Sequence, residues 1–189
     1  SYLRSNGMES AVSQMKWQFV LVSDQTPNAF ALPGGKVVVN EGILPYTQTD
    51  DGLAVVIGHE IAHAVAKHSN ERLSQQMLLQ YGGTALDALM QNKTAASRQL
   101  ASSVYGLGAQ VGVMLPFSRK QEYEADHLGL IFMAIAGYDV YAAPKFWTKM
   151  SSLSTEGGGT PEFMSTHPSD ANRIKQINSI IPEALKYKK

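Results

Sequence analysis

The sequence predicts an α+β fold, mainly helical, with a small and largely antiparallel sheet beside one long buried helix. Three observations carry this reading. Runs of β-forming residues, broken by turn residues, crowd into positions 17–40. An apolar run from Leu53 to Ala66 is hydrophobic nearly all round a helix, as in a helix with no solvent face. Beyond Ser69, apolar residues recur at helical spacing almost to the end of the chain. A length of 189 residues, 44% of them hydrophobic and 17% charged, suits one domain over 1–189 with a sizeable core.

Taken in order, Leu3, Met8, Val12 and Met15 make residues Tyr2 to Met15 a packing helix. Trp17 to Val22 is a strand that ends at Ser23-Asp24. Asn28 to Leu32 is a second, and Lys36 to Asn40 a third after the turn Pro33-Gly34-Gly35. An exposed edge of such a sheet can pair with an extended polypeptide. A short helix starts at Glu41 and stops near Pro45. Thr49-Asp50-Asp51 then supplies a cap and an acidic first turn for the long helix, which runs from about Asp51 to beyond Lys67.

The helical pattern continues from Ser69 to Tyr81, breaks at Gly82-Gly83, and resumes from Thr84 to Ser103 with a loop near Asn92-Lys93. Gln99 to Ser118 carries no charge and is long enough to cross a bilayer. Its Gln99, Ser102, Ser103, Gln110 and glycines fit a partly buried helix of a soluble protein better. Pro116-Phe117-Ser118 opens the next helix, with Ser118 as its cap. Glu156-Gly157-Gly158-Gly159-Thr160-Pro161 is a loop, and Ile174, Ile177 and Ile181 stripe the last helix.

Composition excludes several functions. Sixteen basic residues balance 16 acidic ones, no basic stripe stands out, and nucleic acid is not an expected partner. The lysines at 186–189 are a short solvated tail. With no cysteine, disulfides, thiolate catalysis and cysteine-bound zinc are all ruled out. The chain begins at Ser1 without a basic and then apolar leader pattern, so it reads as a trimmed or mature form. Any signal or lipid anchor would lie outside it.

The chemistry concentrates in His59-Glu60-Ile61-Ala62-His63, an H-E-x-x-H run inside the apolar helix. Residues four apart lie one turn above each other, so His59 and His63 point the same way and can share one metal ion. Glu60 falls about 100° round the helix, beside the ion, where it can hold a water. This is the zincin arrangement, two histidine ligands with a glutamate base. Buried polar groups are costly unless satisfied, and a metal ion supplies the reason for three of them in such a helix.

A catalytic zinc needs a third protein ligand and an open position. The extended pattern with a third histidine needs Gly at 66 and His at 69, where this chain has Ala66 and Ser69. His68 lies about 140° from His63 and reads as a surface residue. Glu122 and Asp126, four apart on a later helix, fit instead: Glu122 as ligand, with Asp126 behind it accepting a hydrogen bond from a ligating imidazole. Glu124 points to the far side. Gly129, on nearly the same stripe, lets this helix approach the histidine helix closely.

Taken together, Asn28–Gly35, His59-Glu60-x-x-His63, Glu122-x-x-x-Asp126-x-x-Gly129 and Thr166-His167-Pro168-Ser169 with Arg173-Ile174 resemble zinc metallopeptidase family M48. These gluzincins include the CAAX prenyl proteases, HtpX and BepA. The resemblance covers Phe30 to Ile174, and the absence of convincing membrane helices fits the soluble or lipid-anchored bacterial envelope branch. It implies a metalloendopeptidase domain with one Zn²⁺ held by His59, His63 and Glu122, and Glu60 as general base. In that family the residue at His167 reaches the zinc as an extra ligand or stands by as an oxyanion stabiliser. Arg173 anchors the loop or meets substrate. The implied substrates are unfolded or misassembled proteins, and the implied place is the periplasm or envelope membrane. The alternative is a latent or chaperone-like module with a closed structural zinc site. Oligomeric state is not legible from the sequence.

Overall fold

In the computed structural model the described residues are 2–109, 115–155, 161–168 and 170–188. In chain order they form α1 (Tyr2–Ser5), α2 (Glu9–Ser13), β1 (Gln18–Val22), β2 (Ala29–Leu32), β3 (Lys36–Asn40) and a 3-10 turn (Glu41–Ile43). Then come α3 (Leu44–Thr47), α4 (Asp50–Val65), α5 (His68–Leu89), α6 (Ala95–Ala109), α7 (Leu115–Ala136), α8 (Ala142–Thr155), α9 (Glu162–Thr166) and α10 (Ala171–Ala184). A closing 3-10 turn covers Leu185–Tyr187. The chain divides into two compact units, Ser1–Ala66 with Glu122–Lys189, and Lys67–Gln121.

The first unit holds the sheet and the core. Its strand order is β1-β3-β2, with β2 antiparallel to β3 and β1 parallel to it. The expected small sheet is therefore present in mixed form. The turn at Pro33-Gly34-Gly35 makes β2 and β3 a hairpin, while the segment after β1 carries the chain past β3 to the far edge. Val37 and Val39 of β3 are buried, and β2 packs against α4. Trp147, Phe163, Ile43, Ile131, Met150 and Ile177 fill the core around α4, α7, α8 and α10.

Helix α4 starts where its cap residue predicts: the Thr49 hydroxyl accepts from the Gly52 N–H at 3.1 Å. It stops at Val65 rather than passing Lys67, because Lys67 takes a left-handed conformation (φ 59°). Pro45 sits in the first turn of α3, where its missing N–H breaks no bond, so it opens a helix rather than stopping one. The N-terminal helix is two short pieces, α1 and α2, parted at Asn6-Gly7.

Helices α4 and α7 approach closely at a pair of glycines. A methyl group on Gly129 would lie 3.1 Å from backbone atoms of Gly58 and His59, and one on Gly58 would lie 3.2 Å from the Gly129 carbonyl. The helices cross backbone to backbone at the residue that precedes His59.

In the second unit, α5 and α6 pair with each other. Gly82-Gly83 does not break α5, which runs through to Leu89. A side chain on Gly82 would strike the Tyr105 hydroxyl of α6, which donates to the Leu79 carbonyl at 2.9 Å. The glycine is there for that packing. The described part of the uncharged stretch from Gln99 belongs to α6, whose Leu100, Val104 and Leu107 are exposed rather than partly buried, and to α7, which begins at Leu115; residues 110–114 lie outside the described residues. Ser118 therefore lies inside α7 rather than capping it. Among the described residues no helix is long and apolar enough to cross a membrane. His68 is buried, contrary to its surface reading, and its carbonyl accepts from Gln121 Nε2 at 3.3 Å. The expected loop at 156–160 lies outside the described residues.

Gly129→Ala is expected to destabilise the protein by about 1–3 kcal/mol, because neither helix backbone can yield to the added methyl. The midpoint of urea unfolding measures it; an unchanged midpoint would mean that the crossing is looser than described.

Candidate metal centre

Side chains from α4, α7, α10 and the segment after α9 meet in the first unit. Helix α4 presents His59, Glu60 and His63, which are 2%, 2% and 7% exposed. Helix α7 brings Glu122 and Asp126, the pair that its helical spacing puts on one face. His167 follows α9, and α10 contributes Arg173; both are buried. Every site residue anticipated from the sequence is in this one cluster.

The geometry is that of converging lone pairs. His59 Nε2 lies 3.1 Å from His63 Nε2, 3.1 Å from Glu122 Oε2 and 3.2 Å from His167 Nδ1. His63 Nε2 is 3.3 Å from Glu122 Oε1, and His167 Nδ1 is 3.0 Å from Glu122 Oε2. All four donors fall within 4.8 Å of one another. Four N and O ligands arranged tetrahedrally about an ion at ~2.0–2.1 Å stand ~3.3 Å apart, so the donor set fits one small divalent cation.

The tautomers fit as well. His59 Nδ1 lies 3.0 Å from Asp126 Oδ1, at ion-pair distance though not aligned as a hydrogen bond, and this neighbour favours the tautomer that leaves Nε2 facing the cluster. Asp126 is fixed in turn by Arg173, whose Nε and Nη2 donate to its two oxygens at 2.7 and 2.9 Å. The Arg173 Nη1 donates to the carbonyls of His167 and Pro168 at 3.3 and 2.9 Å, and lies 3.2 Å from Glu122 Oε2. The guanidinium rests 3.7 Å from the Trp147 ring centroid. Arg173 thus clamps the His167 segment and the carboxylate behind His59 at once.

Glu60 is held differently. Its Oε2 accepts from the Ala31 N–H of β2 at 2.9 Å, while Oε1 has no hydrogen-bond partner and lies 3.4 Å from His167 Nε2. A buried carboxylate oxygen with no hydrogen-bond partner, beside the donor cluster, is poised to accept a proton.

The electrostatics report a cluster in need of positive charge. Burial works against protonation of His59, but the Asp126 and Glu122 carboxylates outweigh it and lift the group to about 9. Burial dominates at His63 and brings it down to about 3. Glu60 is raised, chiefly by burial. Glu122 lies well below the usual carboxylate range because its three histidine neighbours overcome the cost of burial. Asp126 is lowered because Arg173 overcomes the same cost.

Sequence reasoning missed the supporting residues. Trp147 under Arg173 and Phe163, whose ring centroid is 4.7 Å from that of His167, carry no signal beyond ordinary core aromatics. The Ala31 N–H belongs to a strand whose alignment with α4 no local pattern reveals.

The sequence profile described as "Peptidase family M48" matches residues 4–181. The chain is 42% identical over 175 residues to the mitochondrial metalloendopeptidase OMA1 of Schizosaccharomyces pombe, covering 93% of this chain and 50% of that protein. It is 35% identical over 181 residues to the mitochondrial metalloendopeptidase OMA1 of Homo sapiens, covering 93% and 34%. It is 30% identical over 166 residues to the beta-barrel assembly-enhancing protease of Yersinia pestis, covering 86% and 34%. The chain thus spans half or less of the length of these relatives.

Arg173→Met is expected to destabilise the fold by about 3–5 kcal/mol, since it strands Asp126 and Glu122 as uncompensated buried carboxylates. Adding Asp126→Asn should recover part of that loss. Chemical denaturation of the single and double variants measures the coupling; strictly additive losses would deny the pair this role.

Proposed function

Because this chain belongs to peptidase family M48, we propose that it is a zinc-dependent metalloendopeptidase domain in which His59, His63 and Glu122 hold one Zn²⁺ and Glu60 is the general base. The observation that carries the proposal is the convergence of these buried donors, with an unpartnered Glu60 oxygen beside them. Zinc is favoured over harder divalent ions by the nitrogen-rich donor set. The profile match over residues 4–181 supports reading 1–189 as a single catalytic domain, with 67–121 inserted in sequence between the histidine and glutamate ligands.

When bound, the ion supplies Lewis acidity to the scissile carbonyl and the attacking water. The chain's own residues do the rest. Glu60 Oε1 takes the proton of that water and passes it to the leaving amine, while Oε2 stays tied to β2 and fixes the carboxylate plane. Burial raises Glu60, which suits a group that must take a proton and then give it up. Asp126 holds the His59 tautomer, and Arg173 holds Asp126. His167 Nε2, on the Glu60 side of the cluster, is a donor for a developing oxyanion if the imidazole leaves the fourth corner.

A specific observation favours a second reading of the same site. With His167 Nδ1 at 3.2 Å from His59 Nε2 and 3.0 Å from Glu122, a bound ion would have four protein ligands and no open position. This is a latent form of the peptidase or a closed structural site. The substrates are proposed to be unfolded or misassembled polypeptides, and the work to be quality control in a bacterial envelope, with any signal or lipid anchor outside this chain. The beta-barrel assembly-enhancing relatives support the envelope; the OMA1 relatives, mitochondrial by name, support the same chemistry in an organelle.

Glu60→Gln is expected to retain one zinc per chain and lose at least ~10²-fold in casein cleavage. Metal content by mass spectrometry beside a cleavage assay measures both, and parental cleavage would remove Glu60 as the base. His167→Ala should raise cleavage about tenfold or more if the fourth corner is closed in the parent. A fall instead would assign His167 to the reaction rather than to latency.

A further inference from the structure

Strand β1 lies at one edge of the sheet and, among the described residues, pairs only with β3. All five of its residues are exposed, including Phe19 at 56%, Val20 at 48% and Leu21 at 58%. Phe19 and Leu21 stand beside Val37 and Val39 of β3, which are buried, so the core face of the sheet continues onto β1 without cover. Trp17 stacks on Phe19 and extends this apolar ridge.

The backbone defines what can cover it. The N–H groups of Lys16 and Gln18 donate to Gly34 and Gly35, on the β3 side. Backbone direction alternates along a strand, so within β1 Phe19 and Leu21 turn their N–H and C=O groups outward. An uncharged strand with open outward groups is a template for another strand.

The charges at its ends define which strand. The N-terminal end carries Lys16 and, on β3, Lys36, while the C-terminal end carries Asp24 and Glu41. We propose that a second copy of this chain pairs its own β1 antiparallel to this one, about a twofold axis at Val20, to make a continuous six-stranded sheet. In that register Phe19 faces the partner's Leu21 as a hydrogen-bonded pair, as the outward groups require. Val20 faces the partner's Val20 as a non-hydrogen-bonded pair. Each basic end falls on the partner's acidic end, with Lys16 opposite the partner's Asp24. A one-residue slip would lose both the hydrogen-bonding parity and the charge match. Strand pairing over so few residues buries less than the ~800 Å² per subunit of a standard interface, so the dimer depends on concentration.

The chain has no cysteine, which allows a direct test of register. Val20→Cys should close an intersubunit disulfide under mild oxidation, because facing non-hydrogen-bonded residues stand ~4.5 Å apart at Cα. Val22→Cys, similarly exposed, would sit ~13 Å from its copy and should cross-link at least ~10-fold more slowly. Sedimentation velocity should show dimer at ~100 μM giving way to monomer on dilution. Leu21→Pro removes an outward N–H and leaves the β3 side bonded; it should weaken the dimer at least ~10-fold with an unchanged circular dichroism spectrum. Monomer at every concentration, equal cross-linking at the two positions, or a dimer indifferent to Leu21→Pro would each overturn the proposal.

Discussion

Glu122 and Asp126 are both nearly sealed from solvent, and one guanidinium, that of Arg173, answers them. Two buried carboxylates against one buried cation leave a net negative charge in a region of low dielectric, and ionised Glu60 would add another. Such a deficit is unfavourable by several kcal/mol unless a positive charge enters. The lifted His59 and the depressed Glu122 express that demand in protons. The proposed divalent ion would meet it with no proton at all. Fold and site are therefore one problem: the helices bury these groups together, with positive charge among them as protons or as the proposed ion.

This constraint explains the division of labour among the elements. The Gly58–Gly129 crossing brings α7 close enough for its acidic pair to reach the histidines of α4. Arg173 then ties α10 and the segment at His167 to the same pair. Strand β2 enters through one bond, from the Ala31 N–H to Glu60. Each contact fixes a different degree of freedom of the site.

What the sequence made legible was what helical spacing alone decides. His59 with His63, and Glu122 with Asp126, are one turn apart, and no tertiary information is needed to put each pair on one face. Gly129 was readable for the same reason. The non-local features were not. The parallel pairing of β1 with β3 depends on where the chain crosses after β1. The passage of α5 through Gly82-Gly83 depends on Tyr105, 22 residues beyond the second glycine, whose hydroxyl occupies the space of the absent side chain. His68 looked solvated because its angle round the helix excluded it from the site, and angle says nothing about burial.

The grip of Arg173 on the carbonyls of both His167 and Pro168 also bears on dynamics. Arg173 fastens the backbone after the His167 Cα, and the His167 N–H donates to the Phe163 carbonyl at 2.9 Å before it, so the imidazole leaves the cluster by rotating its own side chain, against Phe163. In the proposed latent form, opening the fourth corner would be a rotamer change at His167 within a backbone held by Arg173.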